Sequence, residues 1–160
     1  MRKVLVPGTF DPITAGHLDV IERSSHLFDE VVVGVAASQN KGSGPLFTLD
    51  ERVDFVGKAT AHLANVTVAF FDKLLVEYAA SIGATAIVKG LRVTTDFENE
   101  FQMASLNYRL KPELETLFVM SSPEHMYVSS SIIKEIASLG GDLEGLVPAD
   151  VAVALAAKFA

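Results

Sequence analysis

"VPGTFDPITAGH", residues 6–17, follows a short β-branched run and ends where a helix can begin. It holds Pro7 and Pro12, Gly8 and Gly16, Thr9 and Thr14, Asp11 and His17. Neither a core strand nor a helix carries so much backbone punctuation. A loop of this kind directly after a first strand has a known use. In open α/β sheets, ligands bind outside the carboxyl ends of the strands. Gly8 lets the main chain come close to a ligand, and free amides leading into a helix at residue 16 favour an anion. Thr9 offers a hydroxyl, and His17, in the first turn, can donate to phosphate oxygens. By itself the stretch reads equally as a capped turn with a surface histidine.

The rest of the chain supplies the sheet that the loop needs. Apolar runs at residues 3–7, 31–36, 66–71, 86–90 and 116–120 alternate with helical patterns. The runs are continuously apolar, as in a parallel sheet covered on both faces. Helices are expected at 16–28, with Leu18, Ile21 and Phe28 on the inner face, and at 49–63. The second opens on a capping box, Thr48 with Glu51, and places Leu49, Val53, Val56 and Leu63 at helical spacing. A helix at 74–82 stops at Gly83, and one at 96–110 aligns Phe97, Phe101, Ala104 and Tyr108 along a stripe. Two more, at 130–139 and 149–159, are bounded by Gly140-Gly141 and Pro148. Five βα units in series predict a single-domain, doubly wound, five-stranded parallel sheet of Rossmann-like form with right-handed crossovers.

Composition narrows the function. The 160 residues are 49% hydrophobic and 21% charged, which suits one globular domain with a substantial core. No cysteine is present, so thiol catalysis, disulfides and Cys-ligated zinc are excluded. The four histidines lack metal-ligand spacing, and no metal-binding residue is assigned. The net charge of -7 argues against a nucleic-acid or anionic-membrane surface. No apolar run is long enough to span a bilayer, and Met1-Arg2-Lys3 leads straight into a strand, so a cytoplasmic location is expected.

Four segments in order carry a resemblance: "PGTFDPITAGH" (7–17), "KGLR" (89–92), "DFENEFQMA" (96–104) and "VSSSIIKE" (128–135). The first resembles the (H/T)xGH signature of the nucleotidyltransferase superfamily, in its threonine form at Thr14 to His17. Together the four resemble the bacterial phosphopantetheine adenylyltransferase family along essentially the whole chain. The resemblance implies transfer of AMP from ATP to 4′-phosphopantetheine, giving dephospho-coenzyme A and pyrophosphate in coenzyme A synthesis. It also implies Mg²⁺ carried mainly on the ATP phosphates, and a homo-oligomer, a hexamer in that family. In-line attack on the α-phosphorus needs positioning and charge stabilisation rather than a nucleophilic triad.

By the same resemblance His17 stabilises the transition state. Thr9, Phe10, His17, Gly90, Leu91, Arg92, Glu100, His125, Ser129, Ser130 and Ser131 contact ATP. Thr9, Lys41, Leu75, Lys89 and Asn107 contact phosphopantetheine. Each has an ordinary reading beside this one. Lys41, in the glycine-rich "SQNKGSGP" (38–45), reads alone as a solvated lysine, Leu75 as core, Glu100 as part of a wet helix face, and the serines as a helix cap. Lysine at 89 stands where the family often has arginine, keeping the charge but not the planar fork. His125 stands where relatives often carry an aromatic side chain. The anticipated anion cradle is built from His17, Lys41, Lys89 and Arg92, with His17 expected as an exposed cation whose loss leaves the fold undisturbed. Two other readings compete. One is a nicotinate-mononucleotide adenylyltransferase or a cytidylyltransferase, which usually carries HxGH where this chain has Thr14. The other is a non-catalytic nucleotide-binding module, against which the joint presence of His17, Lys41, Lys89, Arg92 and the serines speaks.

Overall fold

A computed structural model describes residues 1–37 and 44–160, and only the backbone of residues 94 and 95. The elements alternate: β1 (Lys3–Gly8), α1 (Ala15–Leu27), β2 (Glu30–Ala36), α2 (Leu49–Thr60), β3 (Val66–Phe71), α3 (Leu75–Ser81), β4 (Ala86–Leu91), α4 (Thr94–Leu110), β5 (Glu115–Met120), α5 (Ser130–Ser138) and α6 (Ala149–Lys158). All pairings are parallel, in the order β3-β2-β1-β4-β5, so the chain reverses direction across the sheet between β1 and β4. This is the doubly wound sheet the alternation predicts.

Side-chain alternation along the central strands divides the core in two. Val4, Val6, Val31, Val33, Val35 and Val88 point to one face, under Ile21 of α1, Val56 of α2, Ile133 of α5 and Leu155 of α6. Leu5, Val32 and Ile87 point to the other, under Val76 and Ala79 of α3. Helix ends follow local chemistry. The Thr48–Glu51 capping box opens α2, and Gly83, at φ 70°, turns the chain after α3.

Two expectations from the sequence need correction here, and α4 shows what a third left open. The outer strands β3 and β5 alternate between covered and exposed residues, so continuous burial holds for the inner strands only. On α1 the inner face is Val20, Ile21 and Ser24, with Leu18 only half-buried, because Val20 is the residue that meets β4. On α4 the stripe of Phe97, Phe101 and Tyr108 is not core. These rings are 46%, 58% and 56% exposed, together with Leu106 and Leu110. Periodicity registers that a helix has an apolar face but not what covers it.

The switch point is also where the sheet opens. β1 pairs with β2 from Lys3↔Glu30 through Gly8↔Val35, but with β4 only at Val4↔Ala86 and Leu5↔Ile87. Beyond those two pairs the strands part, and the gap between their carboxyl ends is a cleft.

Candidate active site

The cleft has a volume of about 440 Å³ and is lined by three stretches distant in sequence, residues 6–20, 88–100 and 121–131. β1 and its turn bring Val6 to Phe10, α1 brings Thr14, Gly16, His17 and Val20, and β4 with α4 brings Val88, Lys89, Gly90, Arg92, Asp96 and Glu100. The start of α5 brings Val128 to Ser131. Glycine is required on both banks by neighbours rather than by dihedral angle. A Cβ on Gly8 would stand 2.9 Å from the Phe10 ring, and one on Gly90 2.9 Å from Val20 Cγ2.

The TxGH motif acts first as a helix cap. Thr14 is the N-cap of α1 and its hydroxyl accepts from the His17 amide. His17 closes the box with its ring, as Nδ1 lies 3.1 Å from the Thr14 amide nitrogen. An amide can only donate, so Nδ1 is the acceptor and the neutral ring carries its proton on Nε2. Burial, and then the positive charge of Arg92, lower the His17 pKa from 6.5 to about 4. The ring also stands edge-on to Phe10, with centroids 5.1 Å apart. His17 is therefore neither exposed nor a cation, which corrects the sequence expectation. It is a fixed neutral N–H donor.

That state has a pH signature. An unfolded chain takes up a proton on this histidine near pH 6.5, whereas the folded chain resists until about pH 4. The contribution to stability is thus complete above about pH 6.5 and is lost as pH falls toward about 4. Denaturant unfolding of wild type and His17→Gln across this window should show the smaller acid-side loss in the variant. Equal slopes would contradict the buried neutral ring.

The two expected cations beside Gly90 both line the cleft, and each already has an anionic partner. Lys89 Nζ is 2.6 Å from Glu100 Oε2, a charge contact without hydrogen-bond geometry that leaves this buried oxygen with no hydrogen-bond partner among the described residues. Arg92 donates from Nε and Nη2 to the two oxygens of Asp96, at 2.8 and 3.1 Å, and from Nη1 to the Val128 carbonyl. Asp96 was not among the expected residues, although its i,i+4 spacing from Arg92 is a readable signal. Among the described residues no group of three or more His, Asp or Glu is placed to hold a metal ion.

At the start of α5, Ser129 is the N-cap and accepts from the Ile132 amide, and Ser130 Oγ donates to the Pro12 carbonyl. Both hydroxyls have structural work. The amides of Ser130 and Ser131, orphaned at the helix start, remain for an anion. Leu91, His125, Leu75 and Asn107 lie outside the cleft lining. His125 bonds Ser122 Oγ and packs beside Gly16. Leu75 packs against the smaller core cluster, and Asn107 is buried on α4. Lys41 lies outside the described residues.

Three residues with a part in this arrangement received no site role from the sequence: Asp11 and Lys134, which lie inside two of the quoted motif segments, and Arg52. Asp11 takes the amides of Leu46 and Phe47 and the ammonium of Lys134, each at 2.9 Å. Arg52, only 2% exposed, donates to three main-chain carbonyls. In the sequence the first is a turn residue and the other two are ordinary helix-surface charges.

Residues 5–136 match the cytidylyltransferase-like family. The chain is 49% identical, over 99% of its length and 98% of the relative, to the phosphopantetheine adenylyltransferase of Caldanaerobacter subterraneus subsp. tengcongensis. It is 52% identical, over 100% of its length and 99% of the relative, to that of Caulobacter sp.. In three dimensions it resembles a provisionally named nicotinate-nucleotide adenylyltransferase from Vibrio parahaemolyticus, with a TM-score of 0.67, 20% identity and coverage of 98% and 99%. That last likeness carries the fold alone. The near-complete alignment with the first two, together with the four motif segments meeting along one cleft, makes this chain a member of the phosphopantetheine adenylyltransferase family of the nucleotidyltransferase superfamily.

Proposed function

We propose that the chain transfers the adenylyl group of ATP to 4′-phosphopantetheine, forming dephospho-coenzyme A and pyrophosphate. The observation that carries this is full-length membership of a family whose relatives are named for that activity. The cleft is suited to it. A phosphate oxygen of phosphopantetheine attacks the α-phosphorus, that P–O bond forms as the bond to the leaving pyrophosphate breaks, and no bond to the protein is made. What the protein must supply is alignment and donors for the charge that builds on the α-phosphate oxygens. His17 Nε2–H is such a donor, fixed before the substrate arrives. Lys89, Arg92 and the amides of Ser130 and Ser131 suit the remaining phosphates, and Thr9 with Lys41 the incoming one. Mg²⁺ would enter on the triphosphate and neutralise part of its charge, with no side chain of this chain assigned to hold it. Among the described residues no helix is long and apolar enough to cross a membrane, and the cytoplasm is the compartment proposed. A homo-oligomer is proposed, a hexamer by resemblance to the family, and the exposed apolar face of α4 offers a surface for association.

Pyrophosphate release from ATP tests the reading. It should be rapid with 4′-phosphopantetheine and at background with nicotinate mononucleotide. The reverse preference would replace this reading with the pyridine-nucleotide one, and silence with both would favour a binding module.

A further inference from the structure

Arg52 poses a problem of charge. Its guanidinium is buried, yet among the described residues no carboxylate lies within ion-pair distance of it. Burying an uncompensated charge is expensive, and its own pKa is drawn down by that burial, with Asp11 the opposing influence. Its partners are all main-chain carbonyls: Thr9 at 2.7 Å, Ala36 at 2.8 Å and Phe47 at 3.2 Å. Thr9 follows β1, Ala36 ends β2, and Phe47 leads into α2. One planar fork thus ties three chain segments at a single point, as a lysine's point charge would not.

Asp11 completes the arrangement from the other side. Burial alone would raise its carboxyl, but the amide of Phe47, the ammonium of Lys134 and the amide of Leu46 outweigh that and hold it below its ordinary value. Residue 47 is therefore gripped twice, its amide by Asp11 and its carbonyl by Arg52. Between the gripped residues Thr9 and Asp11 sits Phe10, buried and at φ 50°. A non-glycine residue in this region is strained and persists only where its surroundings enforce it. The Phe10 ring is the one that stands against the His17 imidazole.

We infer that Asp11 and Arg52 are positioning residues, clasping the main chain on either side of Phe10 so that its ring sets the imidazole of His17 and Thr9 faces the cleft. The inference rests on adenylyl transfer occurring in this cleft. The clasp touches no reacting atom and lies behind the cleft wall. Its effect is transmitted through one strained residue.

The test uses Arg52→Lys, with turnover measured well below each protein's melting temperature. Where Arg52→Lys does not fold, Asp11→Asn carries the same test, and Lys134→Met, at a part-exposed side chain, carries it if neither does. A clasp variant should lose about 10-fold to 10²-fold in kcat, as misplacement of a catalytic group by up to about 1 Å does, while calorimetric ATP affinity changes little. In a His17→Ala background the same substitution should cost clearly less, because the part of its effect that runs through His17 is already gone and only the part through Thr9 remains. Independently of turnover, the imidazole ¹⁵N shifts of His17 should move in the clasp variant. Full additivity with His17→Ala, or unchanged imidazole shifts in a folded variant, would overturn the inference. Absence of turnover in wild type would strike at the functional reading instead, and the imidazole shifts would still judge the clasp.

Discussion

His17→Ala is expected to lower kcat for pyrophosphate formation by about 10²-fold or more, the effect of removing one preorganised donor from a developing oxyanion. The effect comes from the geometry of the ring and not from its charge. With Nδ1 committed to the Thr14 amide, the ring's remaining proton is on Nε2, and the low pKa keeps it neutral. A neutral donor gains most of its energy when charge appears on its acceptor, so the loss should fall on kcat more than on ATP binding. The alanine variant also opens the cap of α1. Only the ring's half of the box is lost, since the Thr14 hydroxyl still accepts from the amide of residue 17, so the cost is at most about 1 kcal/mol and the fall in Tm at most about 2–4 °C for a chain of this length. His17→Gln separates the two effects, since glutamine at this position can restore the reciprocal cap. It should recover the stability and little of the rate. A folded His17→Ala with undiminished turnover would remove the imidazole from the reaction.

Lys89→Ala is expected to abolish most activity, and by more than the loss of one phosphate contact. Removing the ammonium leaves Glu100 as an unpaired carboxylate facing the space intended for an anion. Attraction is lost and repulsion is added. The double variant Lys89→Ala with Glu100→Gln should therefore be more active than Lys89→Ala alone, which a cycle of kcat/KM values would show as coupling between the two sites. Lys89→Arg should keep or improve activity, because the guanidinium can hold Glu100 and still present a second edge to phosphate. Wild-type activity in Lys89→Ala with both substrates would move the phosphate cradle elsewhere.

How much of this was readable in the residues depends on the range of the interaction involved. Alternating β-branched runs and helix caps are local, so the element order and the doubly wound sheet follow from the sequence, and the loop after the first strand marks the cleft. The protonation of His17 is not local. Burial and Arg92, 75 positions away by chain numbering, set it, and a histidine in a helix's first turn looks the same whether charged or neutral. The aromatic stripe of α4 is silent for a related reason: the spacing of Phe97 and Phe101 marks an apolar face, and both are about half exposed among the described residues. Arg52 is the extreme case. It stands beside Asp50 and Glu51 on a capped helix, where every sequence rule places a charge in water, and only the meeting of three strand and loop ends explains its burial.

The parting of β1 from β4 has a mechanical meaning. The sheet is in effect two panels, β3-β2-β1 and β4-β5, stitched by two residue pairs at one end. Regions with little main-chain laddering open at the lowest free-energy cost. A nucleotide held by His17 on one panel and by Lys89 and Arg92 on the other would span that seam just where the ladder is missing. It would act as a rivet as well as a reactant, tying the two panels where their main chains do not pair.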